Sequence, residues 1–167
     1  RDLKALEEQN LIKRSYGGAM PAMNVSNIVT FNYRTKQNIE AKREIAKKAA
    51  ALIKEGHVIF LDQSSTAFYL ANEIIHRNAI TVVTNNIEIM MLLSKSNIRL
   101  ISSGGSLSDE NRNCLIGGDA NQTFENIFAD IAFFSCRGLT ENGVATDSSI
   151  FENSLRRIMI ENSQKVI

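Results

Sequence analysis

The sequence predicts an α/β fold, a mainly parallel sheet with helices on both faces, and three observations carry that prediction. Four short runs are continuously apolar rather than alternating: VIFLD at 58–62, ITVVT at 80–84, IRLIS at 98–102 and DIAFFS at 130–135. Stretches of about a dozen residues with helical apolar spacing separate them. The residues just after these runs are rich in Ser, Thr, Asn and Gly, which cap helices and make tight turns. Apolar strands joined by helices are buried on both faces, which is the condition of a parallel sheet.

Taken in order, residues 1–14, RDLKALEEQNLIKR, read as the tail of a helix and a short apolar strand. Leu3 and Leu6 share a helical face, and Asn10 is placed as a left-handed cap. Residues 15–38 hold SYGGA, Pro21 and several Asn, Ser and Thr, which is linker chemistry. Ile45, Ala46, Ala49, Leu52 and Ile53 predict a helix that Gly56 stops. Strand 58–62 ends in Asp62, and Ala67, Ala71, Ile74 and Ile75 mark the next helix. Strand 80–84 leads to a helix around IEIMMLLSK, and strand 98–102 is ended by Ser103, Gly104 and Gly105. After a polar loop come a helix near 119–128, strand 130–135, and a helix whose apolar face is Phe151, Leu155, Ile158 and Met159. KVI at 165–167 begins one more strand.

Composition narrows the function classes. With 44% apolar and 22% charged residues, the 167-residue chain is long enough for one globular domain with its own core. The longest strongly apolar run, IAFF at 131–134, is too short to cross a bilayer, and no leader pattern opens the chain. These features predict a cytoplasmic protein with no membrane partner. The net charge of +1, without a long basic block, argues that this part does not grip nucleic acid by itself. Cys114 and Cys136 lack metal-ligand spacing and read as reduced structural thiols. His57 precedes a strand at the end away from the expected site, and His76 lies late in a helix. Neither is assigned a catalytic role, and no metal site or cofactor is expected.

In open parallel sheets ligands bind beyond the carboxyl ends of the strands, so the candidate site is sought there. In LDQSST, Asp62 and Gln63 end a strand, with Asp62 placed to address sugar hydroxyls, while Ser64, Ser65 and Thr66 open a helix. The unpaired N–H groups and partial positive charge of a helix start attract phosphate; plain N-capping explains the same residues. Asn85 and Asn86 follow the next strand, where their amides suit sugar hydroxyls or, again, a cap. Gly104 and Gly105 permit close approach of backbone to a ligand. Arg137, next to Gly138, is set either to hold a phosphate or carboxylate or to serve as a structural arginine.

In this order the segments resemble the DeoR family of bacterial transcriptional regulators. RDLKALEEQNLIKRSYGGA is similar to the end of that family's winged helix-turn-helix, through its wing and into the hinge. Arg1, Asp2, Leu3, Leu6, Glu7, Leu11, Arg14, Gly17, Gly18 and Ala19 match the pattern, while Asn10 replaces a usual Gly and Tyr16 a usual His. LDQSST resembles the family's L-D-x-G-S-T, with Ser64 in place of Gly. TVVTNN, GGSL at 104–107, Asp130 with the following AFF, and Gly138 through Gly143 also match.

The resemblance implies a Rossmann-like sensor domain related in fold to ribose-phosphate isomerases and glucosamine-phosphate deaminases. It implies a phosphorylated sugar as effector, bound without turnover, in an oligomeric repressor of genes for sugar or nucleoside use. It divides the chain into a winged-helix remnant (1–19), a linker (20–36) and the effector-sensing domain (37–167), with DNA contacted through the rest of the N-terminal domain. The family's sensor usually continues past a last strand into a segment like A-D-x-S-K-F, which lies beyond Ile167. Ser64 puts a Cβ where the family keeps backbone open to a phosphate. Two other readings remain. A sugar-phosphate isomerase or deaminase needs a general base and usually a second acid; the loop SCRGLTENG offers only Glu141, with Asp62 and Asp147 elsewhere. A pure assembly module needs no ligand, and the polar runs at LDQSST and TNN argue against it.

Overall fold

The structure, a computed structural model, describes residues 2–8, 12–21, 31–147 and 149–167. The expected cap at Asn10 lies outside the described residues, as do residues 22–30 of the expected linker. Helix α1 (Asp2–Glu8) precedes a hairpin of β1 (Ile12–Ser15) and β2 (Gly18–Pro21). SYGGA, read as linker, is instead the hairpin's turn: Ser15 pairs with Gly18, and Gly17 takes φ 94°. Only a residue without Cβ enters that left-handed region at low cost.

The α/β body follows: α2 (Ile39–Ala50), β3 (Val58–Leu61), α3 (Ser65–Ile74), β4 (Thr81–Thr84), α4 (Ile87–Leu93) and β5 (Arg99–Ser102). Then come the two-residue strands β6 (Ser106–Leu107) and β7 (Leu115–Ile116), α5 (Gly118–Glu125), β8 (Ala129–Phe133), the short β9 (Gly138–Leu139) and β10 (Ala145–Thr146), α6 (Ile150–Glu161) and β11 (Ser163–Val166). The five-stranded sheet has order β11-β8-β3-β4-β5 with every neighbouring pair parallel. All five predicted strands are present, within about three residues of their expected bounds. Both loops read as irregular, 103–118 and 135–147, carry small antiparallel hairpins.

Both faces are covered, which is why the strands are continuously apolar. Ile59, Leu61 and Val82 pack against Ala46, Leu70, Ile74, Ile89 and Leu93 from α2, α3 and α4. Phe60 and Val83 point the other way, to Phe124 of α5 and Leu155 and Met159 of α6. Phe60 and Phe124 meet edge to face at 4.9 Å. Two helices are rotated from the predicted face. Ile45 is 51% exposed while α2 buries Ala46, Ala49 and Ala50. Phe151 is 58% exposed while α6 buries Glu152, Leu155, Arg156 and Met159.

Residues 31–35 are helical and belong to this body, inside the expected linker. Phe31 is buried and meets Phe68 edge to face at 5.8 Å. The Tyr69 hydroxyl donates to the Thr35 carbonyl at 2.8 Å.

The chain enters the sheet at β3, steps to β4 and β5 on one side, then crosses to β8 and β11 on the other. Strand order therefore reverses between β3 and β8. The register pairs Leu61 with Thr84 and with Phe133, and Thr84 with Ser102. Asp62, Asn85, Ser103 and Phe134 consequently leave the sheet along one edge.

Candidate ligand site at the carboxyl edge of the sheet

Asp62 stands at the reversal point and is fully buried. Its Oδ1 accepts from the Ser64 N–H at 2.9 Å, and its Oδ2 accepts from the Ser135 N–H at 3.2 Å and from Arg156 Nε at 3.1 Å. The side chain assigned to sugar hydroxyls is thus already engaged, and it pins the loops after β3 and β8 together. Burial pushes the Asp62 carboxyl above its ordinary range, against the Arg156 guanidinium and the Ser64 and Ser135 N–H groups. Three donors on two oxygens, with a guanidinium among them, is the arrangement of a carboxylate, and we assign it as ionised.

Arg156 holds this cluster together. Nη1 donates to Asp147 Oδ2 at 3.0 Å, and Nη2 lies 3.5 Å from Glu152 Oε2. Desolvation pulls its pKa down, but Asp62, Asp147 and Glu152 outweigh that and leave it raised. Glu152 also accepts from Gln63 Nε2 at 2.8 Å and Asn111 Nδ2 at 2.9 Å. Arg137 Nε lies 3.3 Å from Asp147 Oδ1, with its side chain 32% exposed. Cys114 Sγ is 3.9 Å from Glu152 Oε1; burial, then Glu152, push its thiol up to about 12. Cys114 is therefore a protonated structural thiol at neutral pH, as its sequence context predicts.

The start of α3 has a different character. Ser64 is the N-cap, extended at φ −77° and ψ 153°, and its hydroxyl accepts from the Ala67 N–H at 3.0 Å. That backbone suits any residue, so Ser in place of the family's Gly brings no strain, and its side chain caps the helix rather than blocking the loop. The backbone N–H groups and hydroxyls of Ser65 and Thr66 have no hydrogen-bond partner among the described residues.

Asn86 caps α4, its Oδ1 accepting from the Glu88 N–H at 2.9 Å and the Ile89 N–H at 3.3 Å. Asn85 Nδ2 donates to the Leu115 carbonyl at 3.1 Å. Each still has one idle polar atom: Asn85 Oδ1 and Asn86 Nδ2 are buried without a partner among the described residues, as is Gln63 Oε1. Buried polar atoms left unpaired are uncommon and costly. Gly104 and Gly105 take φ 66° and 95°, and a Cβ on Gly105 would lie 2.5 Å from the Ile116 carbonyl oxygen. A Cβ on Gly138 would lie 2.8 Å from Thr146 Oγ1. The glycines shape the loops and open the backbone there.

The structure thus gathers the candidates on the loops after β3, β4, β5 and β8 at one edge. Sequence reasoning missed Asn111, Glu152 and Arg156. For Glu152 and Arg156 a signal was present: an acid and a base at i and i+4, in register with Leu155 and Met159 on one helical stripe. His57 Nδ1 accepts from the Lys54 N–H at 3.3 Å, away from these loops, and His76 is exposed. Among the described residues no group of three or more His, Cys, Asp or Glu is set to hold a metal, and no helix is long and apolar enough to cross a membrane.

Comparison with known proteins decides the family. Residues 37–167 match the DeoR C terminal sensor domain. The chain belongs to the DeoR family. It is 38% identical over 167 residues to the HTH-type transcriptional regulator GolR of Listeria innocua, covering 99% of this chain and 65% of that protein. It is 32% identical over 170 residues to the glycerol-3-phosphate regulon repressor of Escherichia coli, covering 100% of this chain and 66% of that protein. The DeoR-family chain described here spans about 65% of the length of GolR, and the match reaches into the α1–β2 region ahead of the sensor domain. The fold is also that of ribose 5-phosphate isomerase A from Methanocaldococcus jannaschii, with a TM-score of 0.57 and 20% identity over 78% of this chain and 51% of that one. The fold, a mostly parallel five-stranded sheet with helices around it, agrees with the sequence prediction.

Proposed function

We propose that this DeoR-family sensor domain binds a phosphorylated sugar at the carboxyl edge of its sheet and releases it unchanged. The phosphate takes the N–H groups and hydroxyls of Ser65 and Thr66 at the start of α3, where helix partial charge favours an anion. Arg137 closes on it from the β8 side. Sugar hydroxyls meet Gln63 Oε1, Asn85 Oδ1 and Asn86 Nδ2, while Gly104 and Gly105 let the chain pass close by. Asp62 and Ser64 act indirectly, holding the loop in shape. The observation that carries this reading is the trio of buried, unpaired polar atoms on two adjacent loops, beside a helix start whose own donors are idle.

The regulatory role follows the family: in this reading the domain serves a cytoplasmic repressor that contacts DNA through a winged helix-turn-helix and works as a homo-oligomer, because such readers engage paired half-sites. Light scattering that finds only monomer at every accessible concentration contradicts the last point. Among the described residues at this edge, the carboxylates that the isomerase reading would use as a base are engaged or exposed. Asp62 and Glu152 are buried and committed to Arg156, Asp147 pairs with both Arg156 and Arg137, and Glu141 sits exposed in the β9–β10 turn. A thermal-shift screen of sugar phosphates with product analysis tests the proposal. A native-state ligand raises Tm, so a shift without conversion is expected. Conversion returns the enzyme reading, and no shift with any sugar phosphate favours a module without ligand.

A further inference from the structure

An amide side chain has an acceptor end and a donor end, and whatever holds one end decides which is left free. Three buried amides stand on the loops after β3 and β4, and the direction of each is fixed. Gln63 Nε2 donates to Glu152 Oε2 at 2.8 Å. Turning that amide over would set two oxygens against each other, so its idle atom is the acceptor Oε1. Asn85 Nδ2 donates to the Leu115 carbonyl at 3.1 Å, which in the same way leaves the acceptor Oδ1 idle. Asn86 is the reverse: Oδ1 accepts from the Glu88 and Ile89 N–H groups, and the donor Nδ2 is idle.

Contacts bring these residues to one place. Leu61 and Thr84 are paired in the parallel register, so the residues that follow them leave the sheet side by side, on strands about 5 Å apart. Asn86 forms an antiparallel bridge with Cys114, and the Asn85 carbonyl accepts from the Leu115 N–H at 2.9 Å. Cys114 Sγ lies 3.9 Å from Glu152 Oε1, and the other oxygen of that carboxylate holds Gln63. Residues 114 and 115 together with Glu152 thus join the amides of the two loops. Ser65, at the start of α3, is two residues beyond Gln63.

We propose that Gln63 and Asn85 are the specificity-determining acceptors of the effector site and Asn86 its donor, so that the effector must bring two hydroxyl protons and one acceptor oxygen. This rests on the sugar-phosphate reading and narrows it. Hydroxyls meet all three demands. A carboxylate only accepts and satisfies neither Gln63 nor Asn85, so a phosphorylated sugar acid that presents one there is refused, as is a deoxy sugar that lacks either hydroxyl. All three amides are buried. A buried group that the ligand fails to pair stays unpaired, which is how a site built to bond a hydroxyl rejects an analogue without it. The charged framework sets this preference: Glu152, itself held by Arg156 and Asn111, is what keeps the Gln63 oxygen as the free end.

Fluorine in place of a hydroxyl removes the donated proton with little change of size, so a fluorine scan of the ligand reads the direction of each bond. Binding of ribose 5-phosphate, fructose 6-phosphate, glucose 6-phosphate and glycerol 3-phosphate is measured by calorimetry, and each compound that binds is compared with analogues carrying fluorine at one hydroxyl at a time. Two positions are expected to lose about tenfold or more in affinity, and the rest little. In Gln63→Leu the penalty for fluorine at one of these positions disappears, and in Asn85→Ala the penalty at the other, while the parent compound binds more weakly to both. A merely structural role weakens parent and analogue alike and leaves their ratio unchanged. Gln63→Leu also gives up the bond to Glu152; if it does not fold, Asn85→Ala and the scan on wild type decide. Fluorinated analogues that all bind like their parent, or ratios that neither variant alters, overturn the proposal and leave the sugar-phosphate reading standing. Binding by none of the four parent compounds overturns both.

Discussion

The two halves of the sheet's carboxyl edge are built on opposite principles. On the β3–β8 side the buried charges are mutually paired, with Asp62, Asp147 and Glu152 all on Arg156, and Gln63 Oε1 is the idle buried atom among the described residues there. On the β4–β5 side they are uncharged, and Asn85 Oδ1 and Asn86 Nδ2 have no partner among the described residues. Breaking a buried charge network costs far more than losing a neutral hydrogen bond, because the remaining charges are left uncompensated. The first half is therefore read as framework and the second as a surface for recognition. The start of α3 lies between them, capped by Ser64 and open at Ser65 and Thr66.

Variants on the two sides should fail in different ways. The largest effect is expected for Arg156→Met, which removes the guanidinium shared by three buried carboxylates and should cost about 3–5 kcal/mol of stability. Without Arg156, only the Ser64 and Ser135 donors oppose burial, and the folded pKa of Asp62 rises further. A carboxyl whose pKa is higher folded than unfolded loses stability as pH rises, so the variant should regain stability as pH falls from neutral toward the ordinary carboxylate range. Denaturant melts across pH check this; a variant as stable as wild type at pH 7 contradicts the framework reading. Next is Gly105→Ala, which meets the Ile116 carbonyl at a left-handed φ and should cost about 1–3 kcal/mol. A smaller loss would mean that the β5 loop is free to move away.

Asn85→Ala sharpens the comparison from the other side. It removes one hydrogen bond to the Leu115 carbonyl and an acceptor that is idle without ligand, so stability should change by no more than about 1 kcal/mol. Effector affinity should nevertheless fall, by about tenfold for one lost polar contact. Loss of stability without loss of affinity would put Asn85 in the framework. The mildest test is chemical. At pH 8 a thiol reagent should modify Cys136, which is only partly buried, and spare Cys114, whose thiol lies near 12. Fast modification of both in the folded chain would show that the packing around Glu152 opens readily.

The parts of this account legible in the sequence are the local ones. Asp62 through Thr66, Asn85 with Asn86, and Gly104 with Gly105 are visible because a strand end, a cap and a tight turn are written in neighbouring residues. Their chemistry is less legible than their position: Asp62 reads as a hydroxyl ligand until Arg156, 94 residues away, is seen on its carboxylate. Gln63 and Glu152 are 89 residues apart, and Asn111 and Glu152 are 41 apart. No local pattern states such pairings. The rotation of α6 has the same cause. Phe151 and Ile158 define an apolar face, yet the helix buries Glu152 and Arg156 because their partners come from the loops after β3, β6 and β10. The helical segment 31–35 escaped because it follows a linker-like stretch and finds its packing surface on α3, through Phe31 and Thr35.

The central claim is that Ser65 and Thr66 at the start of α3 hold the phosphate of a sugar phosphate, and one calorimetric comparison tests it most directly. Wild type and Ser65→Glu are titrated with a panel of sugar phosphates and the matching unphosphorylated sugars. The side chain at this buried loop-to-helix junction caps nothing among the described residues, so the variant should keep the fold, checked by its circular dichroism. The account predicts that wild type binds at least one phosphorylated sugar much more tightly than its unphosphorylated form, and that Ser65→Glu, which adds a like charge and fills the space, loses binding by at least about a hundredfold. Equal affinity for the two forms of the sugar, or a folded Ser65→Glu variant that binds like wild type, would contradict it.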